Sequence, residues 1–317
     1  MSHFLSISAV NNLEEGSAHG YSTIADPVRG FASAVYRELG VTIDPSPDGK
    51  IHRFDCPEGR RGNNACWYAL FLDTRPAGVF GNWRTGLKFT WSEPGNNPLT
   101  AKERERQRGL MRLAQEQRLQ EKVQAQEAAI HLAKMGWGLG RSPDAEHPYL
   151  VKKRISGNYL RQSGNILLVM LQDIDGRLLN LQRIYLDGSK RFLKGGRVRG
   201  CFWLCGNYIP ESGTLYIAEG VATAATIAEA VRAPVVAAMN AGNLKPVAEA
   251  IRKKYPGLTI VVAADNDHRT AGNPGINKAM EAAASVGGCV TWPTICFHEG
   301  CTCTDFNDLE HCERAVK

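Results

Sequence analysis

Two short apolar segments of this 317-residue sequence end abruptly in carboxylates. Residues 216–218 run into Glu219, and residues 260–264 run into Asp265 and Asp267. A buried strand that ends in acids delivers them to the carboxyl edge of a parallel sheet, where open α/β sheets hold their ligands. Carboxylate oxygens that converge there bind hard divalent cations such as Mg²⁺. The pattern therefore predicts a metal site suited to phosphoryl transfer.

A third acidic group, Asp305 and Asp308, follows the last predicted strand and could complete the coordination. Acids after strands also cap the next helix or stay hydrated, and this interpretation stays open for Glu219 alone and for the third group. It is less favoured for Asp265 and Asp267, because carboxylates two residues apart repel each other unless a cation or a proton intervenes.

The elements that must position these acids alternate regularly beyond residue 213. The expected strands are 214–218, 235–239, 258–264 and 289–291, and the expected helices are 221–231, 245–254 and 275–286. Strands and helices in this rhythm form βαβ units. We therefore expect an α/β domain with a parallel sheet that is flanked by helices on both faces.

A basic region precedes this domain. Residues 141–205 contain twelve Lys or Arg and five acids, a local charge of +7, whereas the whole chain carries +6. Strand patterns dominate the region, with turns at residues 173–176 and 187–189. A basic block beside a metal site favours a polyanionic partner, although a merely solvated basic face is the alternative.

Further upstream, the composition indicates a small α+β module, a linker and one long helix. The helix, over residues 99–135, has the alternating charges that are typical of a solvated spacer, and only a thin apolar stripe that includes Leu119, Val123 and Leu132. With the basic region taken as a mixed α+β subdomain, the predicted domains are 1–92, 93–140, 141–212 and 213–317.

These motifs carry a resemblance to a known family. Residues 216–309 resemble a Toprim domain, the metal-binding α/β module shared by bacterial-type primases, topoisomerases and some nucleases. Residues 147–150, with Lys153 and Arg154, are similar to the tyrosine-leucine and basic element that opens the catalytic core of bacterial-type primases. Residues 175–196 resemble the basic subdomain of Toprim primases carried by plasmids, phages and integrative elements. Residues 54–91 resemble the N-terminal module of the same primases.

The resemblance implies a DNA primase that synthesises short RNA primers on single-stranded DNA from NTPs. Two or more Mg²⁺ or Mn²⁺ ions would be held by Asp265 and Asp267, and Asp305 or Asp308 would join them. Glu219 would bind metal or act as a general base.

The same resemblance implies that a set of basic side chains contacts template phosphates and the incoming nucleotide. Among them, Lys190 and Arg191 are the foremost candidates, because the turn at Gly188 is expected to project them together. The full set is Lys153, Arg154, Arg161, Lys190, Arg191, Lys194 and Arg197.

Two features depart from the family pattern. Bacterial replicative primases usually carry a second acid four residues after the motif glutamate, and that position is Thr223 here. They also begin with a zinc-binding module, whereas the N-terminal cysteines of this chain lack the required spacing, so no zinc is predicted. Near the other end, a denser group could bind metal or consist of incidental reduced cysteines: Cys296, His298, Cys301 and Cys303.

Other classes are excluded or kept as rivals. No P-loop motif occurs, so an ATPase motor is not predicted and a separate replicative helicase would open the duplex. The sequence contains neither a bilayer-spanning apolar run nor a signal-peptide pattern, so we expect a protein of the bacterial cytoplasm without a membrane partner. A Toprim nuclease that uses the same acids, and a catalytically silent module that binds nucleic acid, remain open.

Overall fold

The computed structural model describes residues 26–58, 61–72, 75–93, 101–231, 233–294 and 301–312. Most of the predicted linker after residue 92 lies outside these ranges. The chain divides into two compact units, with the boundary between Leu113 and Ala114. The four predicted domains stay a prediction.

The first unit packs one helix on a four-stranded antiparallel sheet. Phe31 of the helix is buried in the core with Tyr68 and Phe80. The Asp26 side chain accepts a hydrogen bond from the backbone of Val28 and so caps the helix start. The elements are α1 (Pro27–Leu39), β1 (His52–Phe54), β2 (Cys66–Phe71), β3 (Ala77–Asn82) and β4 (Lys88–Ser92), and the sheet order is β1-β2-β3-β4.

The long helix is present as α2 (Ala101–Leu139). Its apolar contacts differ from the predicted stripe, since Leu119 and Leu132 are 61% and 58% exposed. Ala129 and Ala133 are buried instead. Small side chains let a helix approach a sheet closely. The buried face of α2 therefore consists of alanines, which a pattern of large apolar residues does not include.

The basic subdomain is an antiparallel sheet with two apolar faces. One face, which includes Leu168 and Leu181, packs with Ala133 of α2. The other face, which includes Leu167 and Ile184, belongs to the core that continues into the C-terminal domain. The elements are α3 (Pro148–Lys153), β5 (Arg161–Ser163), β6 (Ile166–Gln172), β7 (Leu178–Ile184) and β8 (Lys190–Phe192), and the strand order is β5-β6-β7-β8.

The C-terminal α/β domain confirms the predicted alternation of strands and helices. Its strands are β9 (Trp203–Cys205), β10 (Gly213–Ala218), β11 (Val235–Ala237), β12 (Leu258–Ala263) and β13 (Cys289–Thr291). Its helices are α4 (Val221–Val231), α5 (Leu244–Lys254), α6 (Pro274–Val286) and α7 (Phe306–Glu310). The predicted strands of the sheet pair in parallel, and one further strand, β9 from the basic region, pairs antiparallel with β11 at the edge.

The strand order, β13-β12-β10-β11-β9, determines where a ligand site can form. The chain leaves β10 toward β11 on one side and then crosses to β12 on the other side. Residues of α4 pack in one core and those of α5 and α6 in the other, so the helices cover opposite faces of the sheet. The reversal opens a crevice at the carboxyl ends of β10 and β12. Among the described residues, no helix combines the length and apolarity needed to cross a membrane.

A close approach in the first unit gives a stability prediction. A Cβ atom at Gly78 would lie 2.2 Å from the Phe31 ring. We expect Gly78→Ala to reduce the free energy of unfolding of this unit by about 1–3 kcal/mol, because the ring must shift in a packed core. Urea titration followed by tryptophan fluorescence checks this.

The matched control is Gly109→Ala in α2, where an added Cβ meets nothing within 4 Å. Alanine favours a helix over glycine by roughly 1 kcal/mol, so this variant should be as stable as wild type or slightly more stable. Equal effects of the two substitutions would contradict the packing of Phe31 on Gly78.

Candidate metal centre

Two neighbouring strands carry the first two acids to one place. β10 and β12 are parallel, and Ala218 pairs with Ala263 at their carboxyl ends. Glu219 follows Ala218 directly, and Asp265 follows Ala263 by two residues. Both acids therefore lie at the crevice that the strand order creates, as predicted.

Asp265 is the most strongly perturbed acid of the site. Burial, followed by the negative charges of Glu219, Asp305, Asp267 and Asp308, raises its pKa from 3.8 to about 8. Its Oδ1 atom is buried and has no hydrogen-bond partner among the described residues. Burial of a carboxylate oxygen without a hydrogen bond disfavours its ionised form.

Glu219 shares the same environment. Burial raises its pKa, and the charge of Asp267 acts in the same direction. A hydrogen bond from the backbone N–H of Ala241 and the charge of Lys190 oppose this shift. Glu219 is thus held between repulsive acids and two groups that stabilise its ionised form.

Asp267 is fixed by a loop that lies outside the predicted set of site residues. The Asp267 backbone N–H donates to Asn273 Oδ1 at 2.9 Å, and the Gly275 N–H donates to Asp267 Oδ2 at 3.0 Å. A Cβ atom at Gly275 would lie 2.3 Å from the Asp265 carbonyl oxygen, so only glycine fits there. Asn273 has a positive φ of 42°, a conformation that asparagine tolerates better than most residues. The sequence feature that marks this loop is the Asn-Pro-Gly run at residues 273–275, which follows the acids.

The third acidic group begins α7. Asp305 Oδ1 accepts a hydrogen bond from the Asp308 N–H at 2.8 Å, so the helix-capping interpretation is correct for Asp305. Asp305 also contributes to the raised pKa of Asp265, so it belongs to the acidic site as well. Asp308 accepts a hydrogen bond from Lys153 Nζ at 2.9 Å. Buried Asn307 donates to the Lys153 carbonyl oxygen at 2.7 Å and holds α7 in place.

Two lysines of the basic subdomain face these acids. Burial lowers the pKa of Lys153, but the Asp308 hydrogen bond and nearby acids raise it more, and the net shift is upward. Lys190 Nζ lies 5.3 Å from the centre of the Tyr149 ring. Desolvation of its ammonium group, and the charge of Lys153, lower the pKa of Lys190, whereas Asp305, Asp265 and Glu219 act in the opposite direction. Lys190 is thus an exposed cation that lies close enough to Asp305, Asp265 and Glu219 for their charges to act on it.

The other predicted basic residues are placed differently. Lys190 and Arg191 are consecutive in β8 and point to opposite faces, so the prediction that they project together was wrong. Arg161 stacks on Trp137, 4.9 Å from the ring centre, and donates to the Trp137 carbonyl oxygen. The side chains of Arg154, Arg191, Lys194 and Arg197 are exposed, and their predicted contacts with nucleic acid stay predictions.

Thr223, which replaces the expected second acid, is 2% exposed. It lies in the first turn of α4, and its Oγ1 would be 3.8 Å from a Cβ at Gly220. The site therefore contains a neutral, buried side chain at this position.

The donor set fits a hard divalent cation. Five carboxylates of Glu219, Asp265, Asp267, Asp305 and Asp308 interact electrostatically, and one buried carboxylate oxygen lacks a partner. Oxygen-rich clusters of this kind match Mg²⁺ and Mn²⁺ rather than softer metals. The metal ligands and their roles stay predictions.

Comparison with known proteins confirms the predicted resemblance. The Toprim domain family model matches residues 214–313, so this part of the chain is a Toprim domain. A DNA primase TraC of Escherichia coli is 35% identical over 291 residues, which cover 86% of this chain and 27% of the relative. A second DNA primase TraC of Escherichia coli is 34% identical over 260 residues, or 78% of this chain and 18% of the relative. The chain therefore spans less than a third of the length of these relatives.

Solved primase structures are more distant. The primase fragment of the bacteriophage T7 primase-helicase protein has a TM-score of 0.39 at 16% identity, covering 51% of this chain and 68% of the fragment. The DnaG primase catalytic domain bound to single-stranded DNA has a TM-score of 0.38 at 14% identity, covering 55% and 72%.

The raised pKa of Asp265 gives a pH prediction for the cation-free protein. Between about pH 4 and about pH 8 the folded state keeps a proton on Asp265 that the unfolded state has lost, so stability falls as pH rises through this window. Asp265→Asn removes that loss. In EDTA we expect the variant to be more stable than wild type by on the order of 5 kcal/mol at pH 8, with the difference shrinking toward pH 4.

Thermal unfolding across this pH range measures the effect, and Asp44→Asn, at an exposed acid of the first unit, is the control. The control should follow the wild-type pH profile. A constant difference between Asp265→Asn and wild type at every pH would contradict the buried, protonated state of Asp265.

Proposed function

We propose that this chain, whose residues 214–313 are a Toprim domain and which is similar in sequence to DNA primases, is a primase core. It synthesises short RNA primers on single-stranded DNA by nucleotidyl transfer from NTPs. The reaction depends on Mg²⁺ or Mn²⁺, and two or more ions take part.

One observation carries the proposal: Lys190 of the basic subdomain acts on Glu219 and Asp265, which follow β10 and β12, while Lys153 of the same subdomain binds Asp308. A metal site alone would suit any Toprim enzyme. A cation from a separate basic sheet beside the metal site can also bind phosphates. This arrangement suits a reaction in which a triphosphate and a template are both bound. The similarity to the TraC primases covers both parts of the chain, which supports the same conclusion.

Asp265 and Asp267 would hold the divalent ions, with Asp305 or Asp308 as further ligands. Ions held there would supply positive charge that offsets the charge of the triphosphate and favours deprotonation of the primer 3′-hydroxyl. Asp267 is held ready by the Gly275 N–H, so its carboxylate needs little reorganisation.

Glu219 is suited to take up the proton of the attacking hydroxyl. Its raised pKa brings it closer to neutrality than an ordinary glutamate, which improves proton transfer. Ligation of a metal by the same carboxylate is the alternative role.

Lys190 would bind the phosphates of the incoming nucleotide, because it is the cation that points from β8 toward the acids. Lys153 is held by Asp308 and would position α7 as well as contribute charge. The exposed Arg154, Arg191, Lys194 and Arg197 would track the template backbone, and Arg161 would support the Trp137 region.

The partners that follow are single-stranded DNA, NTPs and a separate replicative helicase in the cytoplasm of a bacterial host. The rival functions are a Toprim nuclease and a catalytically silent module, and Thr223 supports the second because it removes one carboxylate from the site.

A template-directed synthesis assay separates these functions. With single-stranded DNA, labelled NTPs and Mg²⁺ or Mn²⁺, we expect wild type to make primers. Glu219→Gln and Asp265→Asn should each lower the rate by about a hundredfold or more, because transition-state charge loses its stabilisation. Glu281→Gln changes an exposed acid of the same domain and should leave the rate unchanged.

Shortened template without new product would establish a nuclease instead. DNA binding with neither activity would establish the silent module. Equal primer yields from wild type and Asp265→Asn would contradict the proposed metal centre.

The orientation of β8 gives a second kinetic prediction. Lys190→Gln should raise the KM for NTPs by about tenfold or more, because a partly desolvated cation facing the acidic site is lost. Arg191→Gln removes the same charge from the opposite face and should change this KM by less than about twofold. Initial rates at varied NTP concentration test the pair, and similar KM increases would contradict the placement of Lys190.

A further inference from the structure

Three cysteine sulfurs converge around α7, outside the carboxylate cluster. Cys301 and Cys303 precede the helix and Cys312 follows it, and their sulfur atoms all lie within 4.8 Å of one another. The thiols of Cys303 and Cys312 also hydrogen-bond to each other. None of the three is fully buried, so small solutes can reach them.

The surroundings of the sulfurs suit a thiolate-bound metal. The Cys303 backbone N–H lies 3.4 Å from Cys301 Sγ and donates to it. Bonds of about 2.3 Å place the sulfurs of a tetrahedral zinc site roughly 3.8 Å apart, so the observed cluster needs to contract by about an ångström at most. Soft sulfur ligands select Zn²⁺ over Mg²⁺, which separates this group chemically from the acids.

The position of the cluster relates it to a weak element. α7 has only five residues, and a helix of this length is not stable by itself in water. It nevertheless carries Asp308 and follows Asp305. A metal ion bound by residues on both sides of the helix would hold its two ends close to each other.

We propose that Cys301, Cys303 and Cys312, in their reduced form, bind a Zn²⁺ ion that clamps the two ends of α7. The clamp stabilises the segment that presents Asp305 and Asp308. It depends only on the sulfur cluster and would exist whether or not the chain makes primers.

The site is controlled by the oxidation state of Cys301, which is disulfide-bonded in the structure. A sulfur in a disulfide cannot be a zinc thiolate. A dithiol or phosphine reductant supplies two electrons, the disulfide takes up two protons to give two thiols, and the reductant is oxidised. Each thiol that then binds Zn²⁺ releases one proton to solvent.

Cobalt titration of the full chain tests the proposal. After reduction, removal of the reductant and handling without oxygen, Co²⁺ should produce thiolate-to-cobalt charge-transfer absorption that Zn²⁺ abolishes. Cys303→Ser and Cys312→Ser should each weaken binding by about a hundredfold or more, since even changes outside the ligand shell reduce affinity 10- to 100-fold. Cys289→Ser, at an exposed cysteine, is the matched control and should bind like wild type. Absence of the absorption in reduced wild type, or its persistence in both ligand variants, would overturn the proposal.

A second measurement on unmutated protein guards against misfolded variants. Reduced chain is treated with iodoacetamide with and without Zn²⁺, and each cysteine is quantified by mass spectrometry. Zn²⁺ should slow alkylation of Cys303 and Cys312 by about tenfold or more, and leave Cys289 unaffected. Equal alkylation in both conditions would refute the clamp. Neither experiment uses template or nucleotide, so its outcome is independent of the primase assay.

Discussion

The structure depends on one electrostatic conflict: a buried aspartate surrounded by other acids. Without a cation Asp265 keeps its proton at neutral pH, because burial and four neighbouring charges raise its pKa to about 8. Such an arrangement destabilises the empty protein, and it persists only where the surrounding structure enforces it. A site of this kind makes physical sense when a divalent ion replaces the proton.

The fold enforces the conflict at three levels. The reversal of strand order between β10 and β12 brings Glu219 beside Asp265. The close approach of Gly275 to the Asp265 carbonyl keeps the following loop tight and Asp267 oriented. Asn307 then secures α7 by donating to Thr226 at 2.9 Å as well as to the backbone of Lys153. Each contact concerns a different stretch of chain, yet all of them converge on the same carboxylates.

Much of this site could be predicted from sequence, because apolar runs that end in acids specify both strands and their functional tips. Glu219 and Asp265 were found in this way. The opposite orientation of Lys190 and Arg191 could not be predicted in this way. It requires knowing that both residues already belong to β8, where consecutive side chains alternate, and not to the preceding turn. The role of Gly275 requires knowing that a carbonyl lies beneath it, and the buried Ala129 and Ala133 of α2 give no signal to a pattern of large apolar residues. The antiparallel strand β9 could not be assigned to this sheet from sequence, because its partner β11 lies some 30 residues further along the chain and no local pattern links the two.

The central claim is that a divalent cation displaces a proton from the acidic cluster. Calorimetric titration of the chain with Mn²⁺ at about pH 7, in two buffers of different ionisation enthalpy, tests it directly. If Asp265 is protonated before the ion binds, about one proton is released per binding event and the observed heat differs between the buffers. Binding heats that are identical in both buffers, or no binding at all, would contradict the account.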